Sequence, residues 1–249
     1  MQNPFIWHDL MTSDVEGAKK FYGEVVGWTY SQQMPNYVVT EVDGAGMGGI
    51  MDTPPEMKGM TAVWTGYIYT PDADAACKQA VQLGGKIYKE AWTVPNVGRM
   101  AVIADPTGAG FMIMQPLSTE QRAMPKAGSI GTVGWNELHA GDLNKAWDFY
   151  SAMFGWTKGY GHDMGPEGIY QMFQIDGKDL GGMMKKMDTM PMPTWVYYFM
   201  VDGMAAAVVR ITKAGGKVAF GPMEVPGGQW TVHGIDPQGG HFALLSNTK

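Results

Sequence analysis

Two side chains with complementary proton chemistry stand two positions apart in this 249-residue chain, Glu137 and His139 in the run Trp135-Asn136-Glu137-Leu138-His139. Alternate residues of a strand share a face, so this carboxylate and imidazole point the same way. A carboxylate that orients a histidine makes an acid–base pair whose imidazole titrates near neutrality. The same alternation groups Trp7, Asp9 and Met11 near the N-terminus, Met47, Gly49 and Met51 further on, and then Met112 with Met114. It also groups His241, Ala243 and Leu245 near the end. Methionines and tryptophans in such rows suit a deformable apolar surface for flat or hydrophobic ligands. The other candidates are weaker. His8 points away from Trp7, His162 falls in a glycine-rich loop over 159–168, and the register at His233 is open. Cys77, beside Ala76 and Ala80 on an apolar helix face, reads as a core residue.

The elements that position these residues belong to a globular chain. It is 45% hydrophobic and only 17% charged, which argues against disorder. The 35 glycines follow no Gly-X-Y period and so signal turns, not collagen. A net charge of −6 without a Lys/Arg cluster offers no footprint for nucleic acid. Apolar runs such as Val196 to Val201 are too short to span a membrane, and the N-terminal residues lack the features of a secretory signal. A single cysteine cannot form an intrachain disulfide, which points to the cytoplasm. A small molecule is the expected partner.

The sequence is also written twice. Residues 7–28 and 135–156 are identical at eight of 22 positions, among them Trp7/Trp135, Asp14/Asp142, Phe21/Phe149, Tyr22/Tyr150 and Trp28/Trp156. The echo continues through Tyr37/Tyr170, Trp64/Trp195, Gly84-Gly85/Gly215-Gly216 and Asp105-Pro106/Asp236-Pro237. Repetition of this length means a duplicated domain. The expected layout is 1–118, a linker over 119–129, and 130–249, the two copies forming an internal pseudo-dimer in a monomer or homodimer. In each copy a strand precedes a helix and three short strands, and the cycle then restarts, which makes two βαβββ units per copy. Ser13 with Glu16 predicts a capping box at the first helix. The Asp-Pro-x-Gly runs are turn chemistry, and the Gly-Gly pairs are helix stops.

The strand, then Asp-x-x-x-Ala-x-x-Phe-Tyr-x-x-x-x-Gly-Trp, then Gly-Gly, then Asp-Pro-x-Gly before a last strand, resembles the vicinal oxygen chelate superfamily of glyoxalases, bleomycin-resistance proteins and dioxygenases. The resemblance spans both copies and is similar to tandem glyoxalase-like proteins of the hydroxylase type. It implies an α+β fold in which paired βαβββ units form a curled mixed sheet, a cup with helices on its convex side. It also implies where a metal would be held: a His or Gln at Trp7 and Trp135, a His near Thr65 and Val196, and a Glu at Met112 and Ala243. A further carboxylate would fall within Met47 to Met51 or Leu180 to Met184. None of these positions carries such a ligand, and thioethers and indoles do not replace imidazole or carboxylate for such ions. No cofactor is therefore expected. Trp7, Asp9, Met11, Met47, Met112, Met114, Trp135 and His241 are expected to line ligand cups. The alternative is a glyoxalase-like lyase, isomerase or hydroxylase. There Glu137 and His139 act as acid and base, or, with His241 gathered at the same cavity, hold a relocated divalent metal.

Overall fold

The computed structural model describes residues 3–118 and 125–249. Of the expected linker, 119–124 lie outside the described residues. The first βαβββ module is β1 (Phe5–Thr12), α1 (Val15–Val25), β2 (Thr29–Met34), β3 (Tyr37–Val42) and β4 (Ala45–Asp52). The second is β5 (Val63–Tyr69), α2 (Ala73–Gln82), β6 (Lys86–Val94), β7 (Gly98–Ala104) and β8 (Gly110–Pro116). The third is β9 (Val133–Ala140), α3 (Leu143–Phe154), β10 (Thr157–Asp163), β11 (Ile169–Ile175) and β12 (Lys178–Lys185). The fourth is β13 (Thr194–Met200), α4 (Met204–Lys213), β14 (Lys217–Glu224), β15 (Trp230–Ile235) and β16 (His241–Ser246). The strands form two mixed eight-stranded sheets, β2-β3-β4-β1-β5-β8-β7-β6 and β10-β11-β12-β9-β13-β16-β15-β14. Each sheet is one sequence copy, so the α+β class and tandem arrangement expected from the sequence are what the chain adopts. Among the described residues no helix is long and apolar enough to cross a membrane.

Local chemistry sets the element ends. The cap of α1 is Asp14 and not Ser13: its carboxylate accepts the Gly17 N–H at 2.9 Å, and Glu16 pairs with Lys19 instead of closing a capping box. Asp72 and Asp142 cap α2 and α3 in the same way. An aspartate oxygen placed just outside the first turn satisfies one of the helix's orphan donors. The tight hairpins β3–β4 and β11–β12 turn through Asp43-Gly44 and Asp176-Gly177, all four residues at positive φ.

Spatially the chain divides into two compact units that do not follow the copies. One holds, among described residues, 3–7, 65–118 and 136–195; the other holds 8–64, 125–135 and 196–249. Each unit therefore combines a module from each copy. In the first, α2 packs on α3, and Phe111 of β8 meets Phe149, Tyr150 and Phe154 of α3. Tyr150 stacks on Trp156, whose ring stacks in turn on Phe173 at 4.4 Å. In the second, α1 packs on α4, and Tyr22 lies among Trp28, Trp64, Phe199 and Phe242. Rings of this size remove about 150–250 Å² each from water, so the aromatic knots dominate the cohesion of both units. Their polar atoms are satisfied inside. Trp64 Nε1 donates to the Tyr22 hydroxyl at 2.9 Å, which donates to Asp236 Oδ2 at 2.9 Å. Trp195 Nε1 likewise donates to Tyr150 at 2.9 Å.

The Gly-Gly pairs do more than stop helices. Gly84 and Gly215 take the left-handed conformation, while the second glycine makes room for an aromatic ring from the other copy. A Cβ on Gly85 would lie 2.9 Å from Phe149 Cε2, and one on Gly216 would lie 2.6 Å from Phe21 Cε2 and 3.0 Å from the Ile235 carbonyl. Gly216→Ala should therefore destabilise the protein by about 1–3 kcal/mol in urea titration. Gly203→Ser, with no atom nearer than 3.7 Å and at an N-cap position, should be neutral or stabilising. Equal effects of the two substitutions would contradict the ring contact.

Burial raises the Asp236 carboxyl above its ordinary 3.8, outweighing the lowering effects of the Gly240 N–H and the Tyr22 hydroxyl. A raised folded-state value favours the protonated form. Its contribution to stability is complete below the unfolded value and is lost as pH rises through the folded one. Thermal melts of wild type and Asp236→Asn should therefore diverge across the acid range, wild type losing ground to the variant as pH rises. Parallel profiles would contradict this.

Candidate functional site

The pair expected from the sequence is present in the first unit. His139 Nε2 lies 3.0 Å from Glu137 Oε1, and the residues are 6% and 8% exposed. The Tyr170 hydroxyl donates to the other carboxylate oxygen, Oε2, at 2.8 Å. The register explains how the tyrosine arrives. Glu137 on β9 pairs with Gly182 on β12, which pairs with Met172 on β11, so Tyr170 crosses a strand that has no side chain at that point. A Cβ on Gly182 would lie 2.2 Å from the tyrosine ring. In a neutral His139 this contact places the proton on Nε2 and leaves Nδ1 as acceptor. Nδ1 is buried without a hydrogen-bond partner. A carboxylate-fixed imidazole with a buried acceptor nitrogen is built to take a proton from, or accept a hydrogen bond from, a bound molecule.

The first copy repeats half of this device. Tyr37 donates to Asp9 Oδ1 at 2.8 Å, its ring over Gly49, where a Cβ would lie 2.2 Å from the hydroxyl. Met11 occupies the position of His139, so the tyrosine–carboxylate pair is common to both copies and the imidazole is confined to one. Asp9 is buried, while Met11 and Met47 are half-buried, with Met11 opposite Met51. His8 is buried edge-on against Tyr197, with ring centroids 4.6 Å apart, a packing role on the face away from Trp7.

The remaining histidines need register to be understood. His162 is not in a loop. It lies exposed on β10, paired with Tyr170. His241 belongs to the second unit, while Glu137 and His139 belong to the first, and its ring sits 5.4 Å from that of His233. The His233 Nε2 is 3.0 Å from the Tyr198 hydroxyl. This cluster is set by the pairing of β15 with β16 and of β16 with β13, contacts between strands that a single strand's pattern does not give. The signal was available in the Asp236–Gly239 turn, which folds β15 onto β16 and sets His233 opposite Ala243.

The apolar candidates also gather. Trp7 packs in the first unit with Tyr67, Met100, Met112 and Met114. Trp135 packs in the second with Val196, Tyr198, Met200, Ala243 and Leu245. Buried Cys77 behaves as a core residue, and burial pushes its thiol up.

Comparison with known proteins agrees with this architecture. The model of the Glyoxalase/Bleomycin resistance protein/Dioxygenase superfamily matches residues 5–113. A Mycobacterium tuberculosis protein named "Putative glyoxylase CFP32" is 32% identical over 250 residues, which cover 96% of this chain and 93% of that one. The chain belongs to this superfamily. The "Anthracycline biosynthesis protein DauV" of a Streptomyces species is 31% identical over 96% of the chain and 91% of its own length. Among solved structures, the Mn(II)-bound glyoxalase of Novosphingobium aromaticivorans covers the whole chain, and 82% of its own, with a TM-score of 0.68 at 14% identity. A homoprotocatechuate 2,3-dioxygenase variant of B. fuscum covers 98% of the chain, and 71% of its own, with a TM-score of 0.67 at 12% identity. At these identities the two structures speak for the fold alone.

The superfamily's metal can be tested against the residues present. Trp7 and Met112, two of the positions where a ligand is expected, do come together, as do Trp135, Val196 and Ala243, but each group forms an apolar cluster. Indole, thioether and aliphatic groups do not fit a hard or borderline divalent cation. Among the described residues no three His, Cys, Asp or Glu side chains are grouped to hold a metal ion.

The glycine under Tyr170 can be tested by a double-mutant cycle. Gly182→Ala alone should cost about 1–3 kcal/mol, and less in a Tyr170→Ala background, where the ring is gone. Urea denaturation should show coupling above about 0.5 kcal/mol; additive effects would contradict the close approach.

Proposed function

We propose that this superfamily member binds a small apolar or aromatic molecule without a metal ion. The observation that carries the reading is the replacement of the metal positions by the Trp7–Met112 and Trp135–Ala243 clusters. Flexible thioethers and flat indoles adapt to planar, weakly polar ligands and offer an inner-sphere ion nothing. The names of the relatives, a glyoxylase and an anthracycline biosynthesis protein, belong to small-molecule chemistry and accord with this reading.

A second reading has its own support, the 3.0 Å Glu137–His139 contact with the buried Nδ1. In it the bound molecule is a carbonyl compound. His139 Nδ1 takes a proton from the carbon next to the carbonyl, Glu137 stabilises the resulting imidazolium, and the proton returns to a neighbouring atom of the same molecule. The net change is an isomerisation. Hydroxylation needs an oxidant that these groups do not supply, so the pair favours lyase or isomerase chemistry.

Fluorescence titration with 8-anilinonaphthalene-1-sulfonate tests the first reading. Saturable binding is expected, unchanged by EDTA or added Mn(II) and weakened by Trp7→Ala or Trp135→Ala. Binding that requires the metal, or none that saturates, would contradict it. For the second, aryl ketones incubated in D2O should gain deuterium next to the carbonyl, about a hundredfold more slowly with His139→Gln. Exchange indifferent to that substitution would remove His139 from the chemistry.

A further inference from the structure

The loop between β12 and β13 carries donor atoms that the proposed function leaves unused. Residues 186–193 read Lys-Met-Asp-Thr-Met-Pro-Met-Pro, which places thioethers at Met187, Met190 and Met192. Methionine is ordinarily among the most buried residue types. Here Met187 is 52% and Met192 63% exposed, and Met190 is half-buried. The whole loop belongs to the first unit.

The backbone gathers the three. The Met190 N–H donates to the Met187 carbonyl at 3.0 Å, closing a turn through Asp188 and Thr189, and the chain bends again at each of residues 190–192. A turn so closed keeps its first and fourth Cα atoms within about 7 Å. Methionine, unbranched and with three rotatable bonds, spans such a gap easily. Pro191 and Pro193 fix φ on either side of Met192. That restraint lowers the entropy lost when a ligand orders the loop. Lys186 Nζ donates to the Met190 carbonyl at 2.8 Å. Its charge is matched by that of Asp188, so the loop has no net charge to repel a cation.

The donors select the ion. A thioether is neutral and polarisable; it suits Cu(I) and gives little to Mg, Ca, Mn or other ions that want oxygen or imidazole. The loop holds no imidazole or thiol. Cys77 is buried with its thiol pushed up, so it offers no competing thiolate. The first copy supplies a comparison. Its loop between β4 and β5 also holds a Met-x-x-Met turn, in which the Met60 N–H donates to the Met57 carbonyl at 3.1 Å. Those are the only methionines of 53–62. The turn is thus shared by both copies, and the third thioether belongs to the second copy alone.

We propose that Met187, Met190 and Met192 bind a Cu(I) ion through their three thioether sulfurs. No residue of the apolar clusters takes part, and the ion is soft and monovalent, so the site is independent of the reading that those clusters bind without a divalent metal.

Anaerobic titration of the protein against the coloured Cu(I)–bicinchoninate complex tests this. Wild type should withdraw one Cu(I) per chain, undisturbed by excess Zn(II). Met187→Leu, Met190→Leu and Met192→Leu keep an apolar side chain of similar size. Each should weaken binding by about tenfold or more, since even groups one shell removed from a metal are worth about 10–100-fold. Met57→Leu combined with Met60→Leu should leave it unchanged. With carbon-13 in the methionine methyl groups, the signals that Cu(I) shifts should be those that disappear one by one in the three single variants. If one variant does not fold, as judged by circular dichroism, the other two carry the test. No transfer of Cu(I) to wild type would overturn the site. Transfer that survives all three substitutions, or shifts confined to other methionines, would overturn it as well.

Discussion

A buried indole–phenol hydrogen bond, made once in each unit, is the interaction on which this architecture turns. Trp64 donates to Tyr22 and Trp195 to Tyr150, each at 2.9 Å. The tyrosine sits on the helix of one module and the tryptophan at the strand that opens the next, so the bond fixes where the chain passes between modules. Around it lie rings too large to pack without leaving some polar atom inside, and a buried N–H or O–H must be paired or be strongly destabilising. In the second unit Asp236, a turn residue from the other copy, accepts from the Tyr22 hydroxyl and ends the chain. The turn that seemed only local is thereby tied to the core.

The duplication acts as an internal control on role. What the fold needs occurs twice: aspartate helix caps, left-handed hairpin residues, the glycines against which Phe21 and Phe149 lie, and the tyrosine–carboxylate pairs over Gly49 and Gly182. What occurs once is not demanded by folding. His139 on the third module and Thr231, His233 and His241 on the fourth all fall in this class, and their counterparts are Met11, Met100, Val102 and Gly110. These histidines and the Thr231 hydroxyl all lie in the second copy, on a scaffold that both copies share.

Much of this was legible in the sequence. The paired Trp, Tyr and Gly-Trp positions exposed the duplication, and the alternation of Glu137 and His139 placed both on one strand face. Less visible were features set by contacts distant in sequence. Ser13 and Asp14 are equally good caps on paper, and only the end of β1 at Thr12 decides for Asp14. The meeting of Tyr170 with Glu137 depends on three strands in register, and the cluster at His233 on the pairing of β15 with β16 and of β16 with β13. The assembly of compact units from modules of different copies reflects aromatic packing between segments far apart in the chain.

This chain shares its fold with a Mn(II)-bound glyoxalase, and at the positions where the resemblance to the superfamily implies metal donors it carries tryptophan, methionine and aliphatic side chains. Elemental analysis by mass spectrometry decides whether that exchange abolishes metal binding. The protein would be produced in medium supplemented with Mn, Fe, Ni and Zn and purified without chelator. Metal far below one ion per chain is the expected result, and a stoichiometric divalent ion that survives gel filtration would contradict metal-independent binding.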